Sequence, residues 1–271
     1  MKIIDVKTYV TMPIDNLPWL FVEIHTDAGV TGLGECSWYG NNALLEHGIE
    51  SVKPWIIGQD PSNIEEIWQL IYRRHLRIGG RGPISAIISG IDIALWDIKG
   101  KLLGVPIYQL LGGPVREHVP LYTHVPDASQ GVSIDEMVDL ARKTKSEGHQ
   151  AIKTDPFLSM VNESGPFKAA SLVEKLTPAA ISYAAEWVSA LREEVGGDFE
   201  LMVDAHARFD VASAIAAARE LESFKLTWFE EPVPQESYDA LKEFRENTNI
   251  AISVGESLFT RYDFIPVLQD R

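Results

Sequence analysis

The chain has 271 residues, 45% of them hydrophobic and 23% charged, with a net charge of −15. That length suits one large domain or two smaller ones, and the composition is that of an ordinary globular protein. The acidic balance argues against nucleic acid and anionic membranes as partners, but not against a small anionic substrate, because a metal ion reverses the local potential.

The start, MKIIDVKTYV, places Asp5 and Lys7 where a signal peptide needs an uncharged apolar run. No stretch approaches the roughly 18 apolar residues of a membrane span. Cys36 is the only cysteine and reads as a small buried side chain. An internal disulfide is therefore impossible, and a cytoplasmic location is expected.

The first 35 residues read as antiparallel strands: LFVEIHT alternates, DAG turns and VTGLGE returns. Three helices are predicted next, over residues 42–55, 62–76 and 85–103. Ser62 and Glu65 have the spacing of a capping box. In the third helix Ile87, Ile91, Ala94, Leu95, Ile98 and Leu102 share one stripe, and Gly104 and Pro106 end it. Residues 1–115 thus form an α+β unit.

From Val119 the rhythm changes to short apolar runs followed by amphipathic helices. VPLYTHV precedes a helix from Ser133, and AIKTDP precedes a long loop and a helix from Pro178. ELMVDAH, TWFEEP and AISVGE lead into helices from Val211, Gln235 and near Arg261. Five strand–helix units in series mean a parallel sheet with helical crossovers. An open doubly wound sheet and a (β/α)₈ barrel both fit, although THVPDASQG is not the glycine-rich turn of a nucleotide-binding sheet. The loop over residues 156–177 is long for such a connection and reads equally as a lid or as a surface insertion.

Three of the strands end in acid, at Asp204, Glu230 and Glu256, each 26 residues from the next (230 − 204 and 256 − 230). One strand–helix unit per interval predicts that all three sit at the same height on neighbouring strands, at the mouth of a barrel. Converging carboxylates repel and protonate unless a cation joins them. An all-oxygen cluster suits a hard divalent ion, here one Mg²⁺ per chain. Glu231, next along the strand, is expected to point the other way, toward an Arg or Lys. His206, two residues beyond Asp204, is expected on the same face as a proton donor or acceptor. In AIKTDP, Lys153 and Asp155 repeat that pattern, and Lys153 is a candidate substrate contact or base.

GIDIALWDIKGKLLGVPIYQLLGG (90–113), VDAH, FEEP and GES, in that order, resemble the mandelate racemase subgroup of the enolase superfamily. GESLFTRYDF and the Asp-x-His of VDAH are most similar to the galactonate-dehydratase type. The resemblance covers nearly the whole chain. It implies a TIM-type barrel domain over residues 116–271, behind an N-terminal capping domain over residues 1–115. It implies Mg²⁺ on Asp204, Glu230 and Glu256, and α-proton abstraction from a sugar acid to an enediolate. His206 then acts as general acid on the departing 3-hydroxyl, giving a 2-keto-3-deoxy acid. Lys153, Asp155, Trp38 and Tyr39 are the expected substrate contacts, and a homo-oligomer is expected. Racemases of the lysine type carry Lys-x-Lys where this chain has Lys153 and Asp155, so that base is absent, and the dehydratase base is expected on a later strand. A complete barrel takes roughly 250 residues, whereas 156 follow residue 115, so three units are expected to be lacking. The alternatives are a racemase, epimerase or cycloisomerase on a related acid, and a catalytically silent, truncated metal-binding homologue.

Overall fold

The computed structural model describes residues 1–14, 17–37, 41–78, 80–157 and 175–269. The chain divides into two units, Met1–Glu117 and His118–Arg271. Among the described residues no helix is long and apolar enough to cross a membrane.

The first unit is an antiparallel sheet of β1 (Ile3–Ile14), β2 (Leu17–Thr26) and β3 (Thr31–Glu35), in that order. Its alternation is visible in the register: Val6 faces Ile24, Val22 faces Gly34 and Ile24 faces Gly32. Three helices, α1 (Asn42–Ile56), α2 (Ile64–His75) and α3 (Pro83–Leu103), supply the other side of the core. Contact between α3 and β3 is backbone to backbone. A Cβ at Gly34 would stand 1.9 Å from the Gly90 carbonyl oxygen, and one at Gly32 would stand 2.0 Å from that of Ala94.

Two local expectations change. Asn63, not Ser62, is the N-cap of α2, and no side chain closes a capping box there. The reason is Asp60, whose Oδ1 accepts from the Ser62 amide at 2.9 Å and keeps Ser62 in the preceding turn. Leu102 is exposed, while Ile87, Ile91, Ala94, Leu95 and Ile98 are buried. Gly32, the second residue of β3, already lies against Ile98, so no strand remains to cover the next turn.

The second unit contains five parallel strands, β4 (Thr123–His124), β5 (Ala151–Thr154), β6 (Glu200–Asp204), β7 (Trp228–Glu230) and β8 (Ile252–Ser253), paired in chain order. A short helix, α4 (Ile107–Leu110), lies before them. Each strand is added beside its predecessor in one direction, as in a (β/α) barrel. A doubly wound sheet would reverse at a switch point. The architecture is α/β, a partial TIM-type barrel preceded by an α+β unit. The crossover helices are α5 (Ile134–Ser146), α6 (Pro178–Val195), α7 (Val211–Leu221) and α8 (Tyr238–Glu246), with α9 (Arg261–Gln269) after β8. Ser133, Thr177, Asp210 and Ser237 cap the four crossover helices, each accepting an amide of the first turn. The fourth therefore starts after Ser237, not at Gln235. The core between sheet and helices is aromatic at its centre, with Phe157, Trp187, Phe209, Phe229 and Phe244 fully buried. The long loop falls mostly outside the described residues.

Burial, with the charges of Glu35 and Glu46, pushes the Cys36 thiol up to about 12. Native protein at pH 8 is therefore expected to resist a thiol-reactive disulfide that labels the denatured chain at once, because only the thiolate attacks. Labelling at equal rates in both states would contradict this packing. Gly34→Ala should cost about 1–3 kcal/mol in denaturant unfolding, because α3 must move off the sheet.

Candidate active site at the strand ends

Asp204 and Glu230 are register partners on β6 and β7, so their side chains leave the sheet at one height. Both point at Lys153 of β5, whose Nζ donates to Asp204 Oδ2 at 2.8 Å and to Glu230 Oε1 at 2.6 Å. Lys153 is 5% exposed. Burial opposes its charge, but the two carboxylates overcome that and hold the ammonium above the ordinary lysine range. Asp204 is lowered in turn, because His206 and Lys153 outweigh its burial. The other Glu230 oxygen accepts from Trp228 Nε1 at 2.9 Å. The Tyr122 ring lies 5.6 Å from Lys153 Nζ and packs edge-on against Trp228. Lys153 is therefore a paired cation in this arrangement.

Glu256 does not share that height. The register partner of Glu230 on β8 is Ser253, three residues earlier. Equal spacing in sequence thus fails to give equal height, because register-matched positions lie 26 residues apart from β6 to β7 but 23 apart from β7 to β8 (230 − 204 and 253 − 230), which leaves Glu256 past the end of β8. Glu256 is exposed, yet the surrounding protein and the charges of Asp204 and Glu230 push its carboxyl up, so it feels the pair. Among the described residues no three His, Cys, Asp or Glu side chains stand close enough to hold a metal ion. The donor chemistry nevertheless fits a hard cation: two carboxylates already share one cationic centre, and the third acid senses both.

Glu231 turns away into the protein and is fully buried. Its partners are not Arg or Lys. Oε1 accepts from the Gly255 amide at 2.9 Å, and Oε2 accepts from Gln235 Nε2. Burial, the largest influence, pushes its carboxyl up, so neutral donors suffice where a fixed cation was expected. This contact ties β7 to the turn that carries Glu256.

His206 reaches the site by a different route from strand alternation. β6 ends at Asp204, and His206 and Ala207 have φ of 51° and 54°. That left-handed turn brings His206 Nε2 to 3.7 Å from Asp204 Oδ2, while Nδ1 lies 3.0 Å from Asp155 Oδ2. The hydrogen bond to Asp155, with the charge of Asp204, raises the imidazole to about 9 against its burial. Asp155 is 2% exposed and also accepts from Arg208 Nη2 at 2.5 Å. A substrate contact was expected there, but its oxygens are already engaged inside the protein. Arg208 was missed in the sequence, because strand alternation ends at Asp204 and the left-handed turn at His206 and Ala207 that brings it back has no local signature. Trp38 and Tyr39 lie outside the described residues.

Residues 7–112 match the family model of the mandelate racemase / muconate lactonizing enzyme N-terminal domain, and residues 136–271 match the enolase C-terminal domain-like model. A D-galactonate dehydratase of Pectobacterium atrosepticum is 37% identical over 270 residues, covering all of this chain and 65% of the relative. The chain thus spans about two thirds, or slightly less, of that relative's length. The solved 3,6-anhydro-D-galactonate cycloisomerase of Zobellia galactanivorans is similar at a TM-score of 0.83 and 32% identity, over 100% of this chain and 70% of the other. A structure from Agrobacterium radiobacter, described as a putative galactarate dehydratase with bound Na and L-malate, has a TM-score of 0.85 at 28% identity, over 100% and 65%.

Removing the Lys153 charge leaves the buried Asp204 and the partly buried Glu230 carboxylates facing each other. Lys153→Met is expected to destabilise the second unit by about 3–5 kcal/mol in metal-free buffer, measured by urea unfolding. An unaltered midpoint would show that the three groups are not paired in solution.

Proposed function

Because the chain belongs to the mandelate racemase/muconate lactonizing enzyme family, we propose that its strand-end site serves the Mg²⁺-dependent dehydration of an aldonic or aldaric acid to a 2-keto-3-deoxy acid. The observation that carries this reading is the register-matched pair Asp204 and Glu230, sharing one cation beside a histidine held by its far nitrogen. The 37% identity to a D-galactonate dehydratase supports it.

Asp204, Glu230 and Glu256 are the residues that would hold the ion. When bound, Mg²⁺ supplies positive charge against the second negative charge that grows on a substrate carboxylate as its α-proton leaves. His206 performs the other half. A hydroxyl group departs poorly as hydroxide, so a proton must reach its oxygen as the carbon–oxygen bond breaks. Nδ1 is engaged by Asp155, so Nε2 is the nitrogen that delivers that proton. The hydrogen bond from Nδ1 to Asp155 favours the protonated ring. Lys153, between the two carboxylates, adds positive charge on the same side.

The cycloisomerase likeness favours a second reading, in which the same acid transfers a proton without net loss of water. A panel of aldonic and aldaric acids with Mg²⁺ separates the two: 2-keto acid formation supports dehydration, and an isomeric product of unchanged mass supports cycloisomerisation. In the dehydratase case His206→Asn should lower turnover by about 10²–10⁴-fold while Mg²⁺ affinity by calorimetry stays unchanged. Undiminished turnover in that variant removes His206 from the chemistry. Asp204→Asn should weaken Mg²⁺ binding at least about tenfold, and normal affinity there would remove Asp204 from the ligand set.

A further inference from the structure

We propose that Asp155 is a positioning residue for His206, itself held in place by Arg208, so that the two form a buried clamp across the ends of β5 and β6. Asp155 has no route to a substrate, at 2% exposure. Its Oδ1 accepts from the Phe157 amide at 3.0 Å, and its own amide donates to Asp127 Oδ1 at 3.1 Å. The remaining oxygen, Oδ2, takes both His206 Nδ1 at 3.0 Å and Arg208 Nη2 at 2.5 Å. An ionised carboxylate only accepts, so the ring nitrogen facing it carries the proton. That leaves Nε2 on the open side, toward Asp204.

Arg208 is 5% exposed, and its Nε donates to the Ala205 carbonyl at 3.1 Å. The same guanidinium that neutralises Asp155 is therefore tied back to the turn that carries His206. A lone buried carboxylate would be costly, and a planar guanidinium serves two acceptors at fixed angles. The turn itself is strained, with two consecutive non-glycine residues at positive φ, where Cβ crowds the following carbonyl. It is held by Ala205 N to Glu230 O at 3.0 Å, Ala207 N to Glu231 O at 2.8 Å and His206 N to Asp204 Oδ1 at 3.0 Å. Strain of this kind persists where the surroundings over-determine it. The turn sets where the ring stands, and the Asp155–Arg208 pair sets which nitrogen faces outward.

The clamp stands on geometry, and only the kinetic arm of its test rests on the dehydratase reading. Nitrogen-15 imidazole spectra of the wild-type protein, with the His206 signal identified by its loss in His206→Asn, should show a proton on Nδ1 protected from exchange. Asp155→Ala should abolish that signature, and turnover should fall about 10–100-fold with KM held within about twofold. Asp155→Asn, which keeps an acceptor, should recover part of the turnover. A wild-type His206 with no protected Nδ1 proton overturns the clamp without need of any variant. So does an unchanged signal in folded Asp155→Ala. A protected Nδ1 proton in protein that dehydrates none of the acids upholds the clamp and counts against the dehydratase reading alone.

Discussion

Two carboxylates side by side in a protein interior stay ionised only if a cation joins them; otherwise one takes up a proton. In this molecule the cation is Lys153, and much of the second unit's strand-end chemistry is arranged around that requirement. Lys153, Asp204 and Glu230 come from three consecutive strands, so their meeting depends on parallel pairing in chain order. Each also has secondary support. Trp228 holds the second oxygen of Glu230, and the His206 amide holds the second oxygen of Asp204. The carboxylates are thus oriented by neutral donors and share one ammonium, with the His206 ring 3.7 Å from Asp204 Oδ2 beside them.

Around this centre the strand ends divide into two kinds of acid. Asp204 and Glu230 face the ammonium, while Asp155 and Glu231 are withdrawn into the protein and bind backbone amides and neighbouring side chains. The withdrawn pair performs the structural work. Glu231 fastens the turn before Glu256, and Asp155 fastens His206. Both lie just past a strand end, where local contacts rather than alternation set direction: Glu231 turns at a φ of 42°, and Asp155 is drawn in by the Phe157 amide and Arg208.

The order of strands and helices was legible because it rests on local patterns. Alternation marked β1 to β3, and the 3.6-residue stripe marked α3. The helix expected from Ser133 is present, and the structure closes it with a capping box between Ser133 and Glu136. The Ser62 cap failed because Asp60, only two residues earlier, competes for the same amide. Leu102 failed because a stripe records periodicity but not where the opposing strand stops. Within the site, residue types at strand ends identified Asp204, Glu230 and His206 as neighbours, while Arg208 and Trp228 carried no signal strong enough to separate them from core and surface residues.

The sequence alone determined that five strand–helix units run in series, which of them end in acid, and that such acids need a cation. Those are properties of spacing and of residue chemistry, and they survive without coordinates. Only the tertiary structure decided which acids meet. Register placed Glu230 opposite Asp204 but placed Ser253, not Glu256, opposite Glu230. It also assigned Lys153 to the carboxylates and Asp155 to His206. Register and side-chain pairing are set by how strands settle against one another, and an interval counted along the chain does not contain that information.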